Sequence, residues 1–177
     1  MKIKLAYGRQ GLTVDLPESA VVLRPRELAA LSDLEAQIHR FLERPTRGAP
    51  LQDLLSSGMQ VVVLHSDITR ATPNKRLLPP LLTYLENHEI PPGNITLINA
   101  LGTHRPQTPS EMATLLGEEI LKAYPCLQHD AFDGEMRALG YSRSGSLMEI
   151  NRHVVDADLR ILTGFIEPHF FAGFSGG

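Results

Sequence analysis

Apolar, β-branched-rich runs stand at residues 61–64 (Val-Val-Val-Leu), 95–98 and 159–162. Runs of this kind predict strands covered on both faces, as in a parallel sheet. Residues 1–7 instead alternate apolar and charged positions, the period of a half-buried strand. Residues 8–11 then read as a turn and residues 12–16 as the return strand of a hairpin. Helical spacing of apolar positions runs from residue 28 to 41, with Ser32 as the candidate cap and an end near Pro45. Residues 51–55 predict a short helix stopping at Ser57-Gly58. Residues 77–87 predict another, which Pro79-Pro80 must start or kink. Thr108-Pro109-Ser110-Glu111 has the form of a capping box with proline at the first helical position. Residues 142–145 read as a hairpin turn, with residues 147–150 and 154–155 as extended pieces nearby. Strand, loop and helix thus alternate, the grammar of right-handed βαβ crossovers. The fold class expected is α/β, a largely parallel sheet with helices on both faces, preceded by a small N-terminal β-hairpin.

Composition narrows the function. The 177 residues carry 17 Lys+Arg against 20 Asp+Glu, a net charge of −3. This excludes the basic surplus that nucleic acid or an anionic membrane calls for. No apolar run is long enough to span a bilayer, and no secretory signal pattern opens the chain. The single cysteine, Cys126, excludes an internal disulfide framework and a Cys-rich metal site. A soluble, cytoplasmic domain acting on small molecules is the expectation.

In open α/β sheets ligands collect beyond the carboxyl ends of the strands, and each predicted buried strand here runs into a polar loop. The first gives Ser66-Asp67-Ile68-Thr69-Arg70, then Thr72-Pro73; the second gives Gly102-Thr103-His104-Arg105. The third gives Gly164-Phe165-Ile166-Glu167-Pro168-His169 and then a glycine-rich stretch to residue 177. Arg70 offers a planar fork for a carboxylate or phosphate. Asp67 is placed to orient Arg70 or to accept a hydrogen bond from a hydroxyl. His104 and His169 are of the residue type that gives or takes a proton near neutral pH. Plainer roles stand beside these: a turn cap for Asp67, a surface ion pair for Arg70, a hydrogen-bonding loop residue for each histidine. What favours chemistry is the repetition of such residues after all three strands. His39, His65, His88, His129 and His153 have no metal-binding spacing and read as structural. The letters Gly-x-Ser-x-Gly at residues 173–177 lack the strand that a nucleophile elbow needs directly before it.

Taken together, the three loop motifs resemble the N-terminal domain of the nickel-dependent lactate racemase family along essentially the whole chain. The resemblance implies a racemase or epimerase of 2-hydroxy acids, with one N-terminal domain over residues 1–177. It implies a nickel-pincer nucleotide, Ni(II)-pyridinium-3,5-bisthiocarboxylate mononucleotide, whose own ring carbon and two sulfurs hold the metal. It implies His104 and His169 as the acid/base pair and Asp67, Ile68, Thr69 and Arg70 as cofactor contacts. Arg70 is also implied to grip the substrate carboxylate. The family pattern continues with a cofactor-bearing lysine, a histidine that ligates nickel and a C-terminal domain. This chain stops short of all three, so the cofactor is expected only in a longer protein, and no metal ligand is expected within residues 1–177. The competing expectation is a non-catalytic module of the same fold that binds an anion or nucleotide. A hydrolase or isomerase using Asp67 with His104 is a weaker third.

Overall fold

A computed structural model describes residues 1–23, 29–132, 134–169 and 171–176. It forms two compact units, Met1–Ser32 and Asp33–Gly177. In the first, strands β1 (Lys2–Leu5) and β2 (Leu12–Asp15) pair antiparallel, so the expected hairpin is present. The chain's ammonium closes its open end, donating to the Leu16 carbonyl and to Glu18 Oε1, both at 2.8 Å.

The second unit opens with helix α1 (Leu34–Glu43). Asp33, not Ser32, caps it, its carboxylate accepting from the Ala36 N–H at 3.0 Å. The start expected at residue 28 lies outside the described residues. Residues 51–54 form a single 3₁₀ turn where a short helix was expected. The three predicted buried strands are present as β3 (Val61–Ser66), β4 (Ile95–Ala100) and, at the far end of the chain, Leu159–Leu162.

Between β3 and β4 runs α2 (Asn74–Asn87), with Pro79 and Pro80 inside it. The helix therefore starts before the prolines rather than at them. Each removes the N–H that would reach four residues back, to Lys75 and Arg76, both exposed. Burial of Leu78, Pro80, Leu81, Leu82 and Leu85 against the sheet offsets that loss, at roughly 1.5–3 kcal/mol per fully buried large apolar side chain. After β4, Thr108 caps α3 (Pro109–Leu116) in the expected capping box, and α4 (Glu118–Ala123) follows. An unpredicted edge strand, β5 (Cys126–Gln128), then pairs with β4.

The chain returns through the hairpin β6 (Met136–Tyr141) and β7 (Leu147–Asn151) and the short helix α5 (Arg152–Asp156), which packs Val154 on the opposite face. Val154 and Val155 thus lie in a helix where extended chain was expected. The Asn151 side chain caps it by accepting from the His153 N–H at 3.0 Å. Leu159–Leu162, now β8, completes a fully parallel sheet in the order β5-β4-β3-β8. One face packs Val61, Val63, Ile95 and Leu97 against α2, α3 and α4. The other carries a smaller cluster of Val62, Ile98 and Ala157 with Val154. A last hairpin, β9 (Glu167–His169) and β10 (Gly173–Ser175), was not predicted.

The strands next to β3 are reached in opposite senses, β4 directly and β8 after the return across the sheet. The crevice beyond the carboxyl end of β3 is therefore a topological switch point, where ligands of such sheets bind. No described helix is long and apolar enough to cross a membrane.

Candidate active site

A cleft of about 540 Å³ opens at this point, lined by the loops after β3, β4 and β8. Each loop is shaped by local hydrogen bonding. After β3, the Arg70 N–H donates to the Asp67 carbonyl at 3.2 Å, a tight turn that places Asp67 and Arg70 on the cleft wall. After β4, the Leu101 N–H bonds the Asn99 carbonyl and the His104 N–H bonds the Leu101 carbonyl, both at 3.0 Å. Gly102 lies between them at φ +58°, a conformation costly for other residues. After β8, the Thr163 N–H and hydroxyl both donate to the Leu64 carbonyl, at 2.9 and 3.0 Å.

A short contact joins Asp67 and His104. His104 Nδ1 donates to Asp67 Oδ2 at 2.5 Å, and Thr69 donates to Asp67 Oδ1 from its hydroxyl at 2.6 Å and its N–H at 3.1 Å. Asp67 is 3 % exposed. Burial alone would raise its pKa, but the hydrogen bonds from Thr69 and His104 together outweigh burial and leave it below the ordinary carboxylate value. Because the carboxylate accepts a hydrogen bond from Nδ1–H, Nε2 of the neutral imidazole carries the lone pair. His104 is half exposed, so that nitrogen is accessible. A buried carboxylate that fixes the tautomer of an accessible histidine is a general-base arrangement.

Arg70 lines the same cleft, and its Nη1 donates to Glu167 Oε1 at 3.2 Å. Ile68 and Thr69 face a smaller adjoining pocket of about 210 Å³, on which Asp67 and His104 also border. The structure therefore gathers Asp67, Arg70 and His104 at one cleft and sets Ile68 and Thr69 beside it. His169 is not among the cleft's lining residues. It is exposed on β9, with its Nδ1 accepting from the Phe171 and Ala172 N–H groups at 3.2 and 3.3 Å. Phe170 and Gly177, part of the same sequence motif, lie outside the described residues.

Sequence reasoning assigned no role to Glu167, although it was part of the third motif. It also passed over the buried polar residues behind the cleft: Thr72, Asn74, Asn99 and Gln107. Period-two spacing was the available signal for one of them, since Asn99 continues the inward-facing Ile95 and Leu97. Gly176 belongs to the glycine-rich stretch that the sequence reading did single out. It lines the cleft at φ +77°, and a Cβ there would lie 1.9 Å from the Phe165 carbonyl oxygen. Only glycine lets the two backbones meet at that point.

Residues 7–177 match the family model described as the lactate racemase N-terminal domain. The chain is 36 % identical over 180 residues to a lactate racemase of Thermoanaerobacterium thermosaccharolyticum. It is 33 % identical over 181 residues to one of Lactiplantibacillus plantarum. Each match covers 99 % of this chain and 42 % of the relative, so the chain spans less than half the length of these proteins. The structure of the T. thermosaccharolyticum lactate racemase apoprotein superposes with a TM-score of 0.77, covering the whole of this chain and 42 % of that one. A Thermotoga maritima protein, at 23 % identity and a TM-score of 0.64, shares the fold over 81 % of this chain and 36 % of its own. On the family match along nearly its whole length, the chain belongs to the lactate racemase N-terminal domain family.

Proposed function

We propose that residues 1–177 form the N-terminal domain of a cytoplasmic racemase or epimerase of 2-hydroxy acids. The observation that carries this reading is the Asp67–His104 pair opening on the cleft that Arg70 also lines. An anion-binding module would need Arg70 but has no use for a buried carboxylate that fixes a histidine tautomer. The fold, the family and the relatives named as lactate racemases support the reading further.

The donor set of the cleft suits an anionic mononucleotide. It offers the Arg70 fork, the hydroxyls of Thr103 and Ser175, and walls of Gly102, Gly164 and Gly176. Among the described residues, no three His, Cys, Asp or Glu side chains are grouped to hold a metal ion. A nickel-pincer nucleotide, which supplies ring-carbon and sulfur donors to its own metal, fits such a site. Ile68, Thr69 and Arg70 would hold it, while the Asp67 carboxylate is taken up by Thr69 and His104. The chemistry this group supplies when bound is reversible acceptance of hydride from the substrate carbon.

The residues of this chain supply the rest. Arg70 holds the substrate carboxylate and so fixes which carbon faces the reacting group. His104 Nε2 takes the proton of the 2-hydroxyl, and Asp67 stabilises the imidazolium that forms. The family resemblance assigns His169, which lies outside the cleft lining, as the second acid/base residue. It gives a proton of its own to the substrate oxygen once the flat 2-oxo acid has turned over, and exchange with water then resets both histidines. The test uses the full-length, cofactor-loaded protein and follows interconversion of D- and L-lactate. His104→Ala and His169→Ala are each expected to abolish it, and a wild-type rate in either variant removes that histidine from the mechanism.

A further inference from the structure

We propose that Glu167 is a resident carboxylate that occupies Arg70 until a substrate carboxylate displaces it, and so sets the affinity of the cleft for carboxylate ligands. The inference rests on the reading that Arg70 grips the substrate carboxylate. It comes from the form of the Arg70–Glu167 contact.

The described residues hold three arginine–glutamate pairs; Arg152–Glu135 lies away from the cleft, and the other two can be compared directly. Arg105 meets Glu111 through both nitrogens of its fork, Nη1 to Oε2 at 2.9 Å and Nη2 to Oε1 at 2.7 Å. This two-point clamp sits beside the capping box of α3, where it is structural. Arg70 meets Glu167 through one bond, Nη1 to Oε1 at 3.2 Å, longer than the usual charge-assisted range of about 2.7–2.9 Å. The pair is also open to water, with the Arg70 and Glu167 side chains 50 % and 35 % exposed. An exposed one-point pair is weakly held, and a free carboxylate that can take the fork at two points replaces it.

The placement fits this role. The partners are 97 residues apart in sequence, Arg70 on the loop after β3 and Glu167 at the start of β9, and both line the cleft. Among the described lining residues, Arg70 is the one Lys or Arg, while Asp67 and Glu167 are the acids. Asp67 is buried and saturated by Thr69 and His104, which leaves Glu167 as the carboxylate able to exchange. Glu167 lies on the β9–β10 hairpin, which is hydrogen-bonded apart from the four-stranded sheet, so releasing Arg70 breaks no sheet pairing.

The test measures lactate affinity of the full-length protein by NMR titration, with lactamide as the uncharged counterpart. It compares wild type, Glu167→Gln, Arg70→Gln and the double variant. Glu167→Gln is expected to bind lactate about three- to five-fold more tightly, the effect of removing an exposed ion pair that competes for the fork. Lactamide affinity should not move. Arg70→Gln should weaken lactate binding, and in that background Glu167→Gln should bring no gain. Unchanged lactate binding in Arg70→Gln would remove Arg70 as the carboxylate site. If Arg70→Gln weakens binding while Glu167→Gln leaves it unchanged or weakens it too, Glu167 alone is overturned. A gain from Glu167→Gln that persists without Arg70 would show a general field effect and overturn it as well.

Discussion

Replacing Asp67 by asparagine separates the chemistry of the site from its folding. Asparagine keeps the volume and the Oδ1 acceptor, so both hydrogen bonds from Thr69 survive. At the Oδ2 position, however, an amide N–H would face the Nδ1–H of His104 across the 2.5 Å that now separates the pair. Two donors cannot share that space. The ring must take the other tautomer, with Nδ1 accepting and Nε2 protonated, and Nε2 then has no lone pair with which to take a proton. The expected loss in kcat is about 10²–10⁴-fold, the usual contribution of a positioned base. The expected loss of stability is only about 1–3 kcal/mol, that of one buried hydrogen bond to a charged group. The two effects are measured on the same sample, by lactate interconversion in the loaded full-length protein and by urea unfolding. Nitrogen-15 NMR of His104 reads the tautomer directly. The pH dependence supplies a sign. The folded-state pKa of Asp67 lies below its unfolded value, so its stabilisation is complete above the ordinary carboxylate range and is lost as pH falls through the folded value. The gap between wild type and Asp67→Asn should therefore close in acid. A variant with kcat within threefold of wild type, or with His104 in the unchanged tautomer, would overturn this role of Asp67.

Other predictions test parts of the same framework. Thr108→Ala removes the α3 cap and should lower stability by about 1 kcal/mol, or about 2–4 °C in Tm for a domain of this size. Glu111 is held down to about 2, first by Arg105 and then by the Thr108 N–H. Its stabilisation is complete above the ordinary value of 4.5 and fades towards pH 2, so Glu111→Gln and wild type should converge there in thermal melts. Gly176→Ala places a methyl group against the Phe165 carbonyl and adds left-handed strain of about 1–2 kcal/mol. It should weaken lactate binding more than it lowers Tm, and unchanged binding would show that the Phe165 contact does not shape the cleft. Burial pushes the Cys126 thiol up to about 11. A thiol reagent at pH 8 should modify it about a hundredfold more slowly in the folded protein than after denaturation, and equal rates would contradict the raised value.

The sequence made legible whatever local chemistry and periodicity decide. Residues 61–64 had to read as a buried strand, because a strand covered on both faces has no polar position to spare. The α3 cap was legible because its hydrogen bonds are made within four residues. What escaped depends on partners distant in sequence. Strand β5 is three residues long and takes its form from Leu97, Ile98 and Asn99 on the neighbouring strand. The β9–β10 hairpin contains Pro168 and Gly173, which read as loop, yet a backbone contact between Gly176 and Phe165 fits it to the chain after β8. Val154 and Val155 favour extended chain by propensity, but the Asn151 cap and the packing of Val154 near Val62 override it. At the site, the types of Asp67, Arg70 and His104 were readable, and their pairing was not. Asp67 was matched first with Arg70, by proximity in sequence, and with His104 only in the third reading, whereas the fold gives Asp67 to His104 and Arg70 to Glu167.

The buried polar residues behind the cleft explain how such a pairing is held. Val61, Val63 and His65 share one face of β3, and Ile95, Leu97 and Asn99 share the same face of β4. At the carboxyl ends the interior therefore changes from apolar to polar, directly under the loops that carry the chemistry. His65 Nδ1 and Asn74 Nδ2 both donate to the Ser66 carbonyl, at 3.1 and 3.2 Å, while Ser66 Oγ donates to Thr72 Oγ1 at 2.5 Å. The peptide that leads into Asp67 is thus fixed from below by directional bonds, which locate it more closely than apolar packing does. Burial lowers the pKa of His65, so this support stays uncharged. It positions Asp67 without placing a second charge beneath it. The charges that decide proton transfer and carboxylate binding are then those of Asp67, His104, Arg70 and Glu167 alone among the described residues that line the cleft.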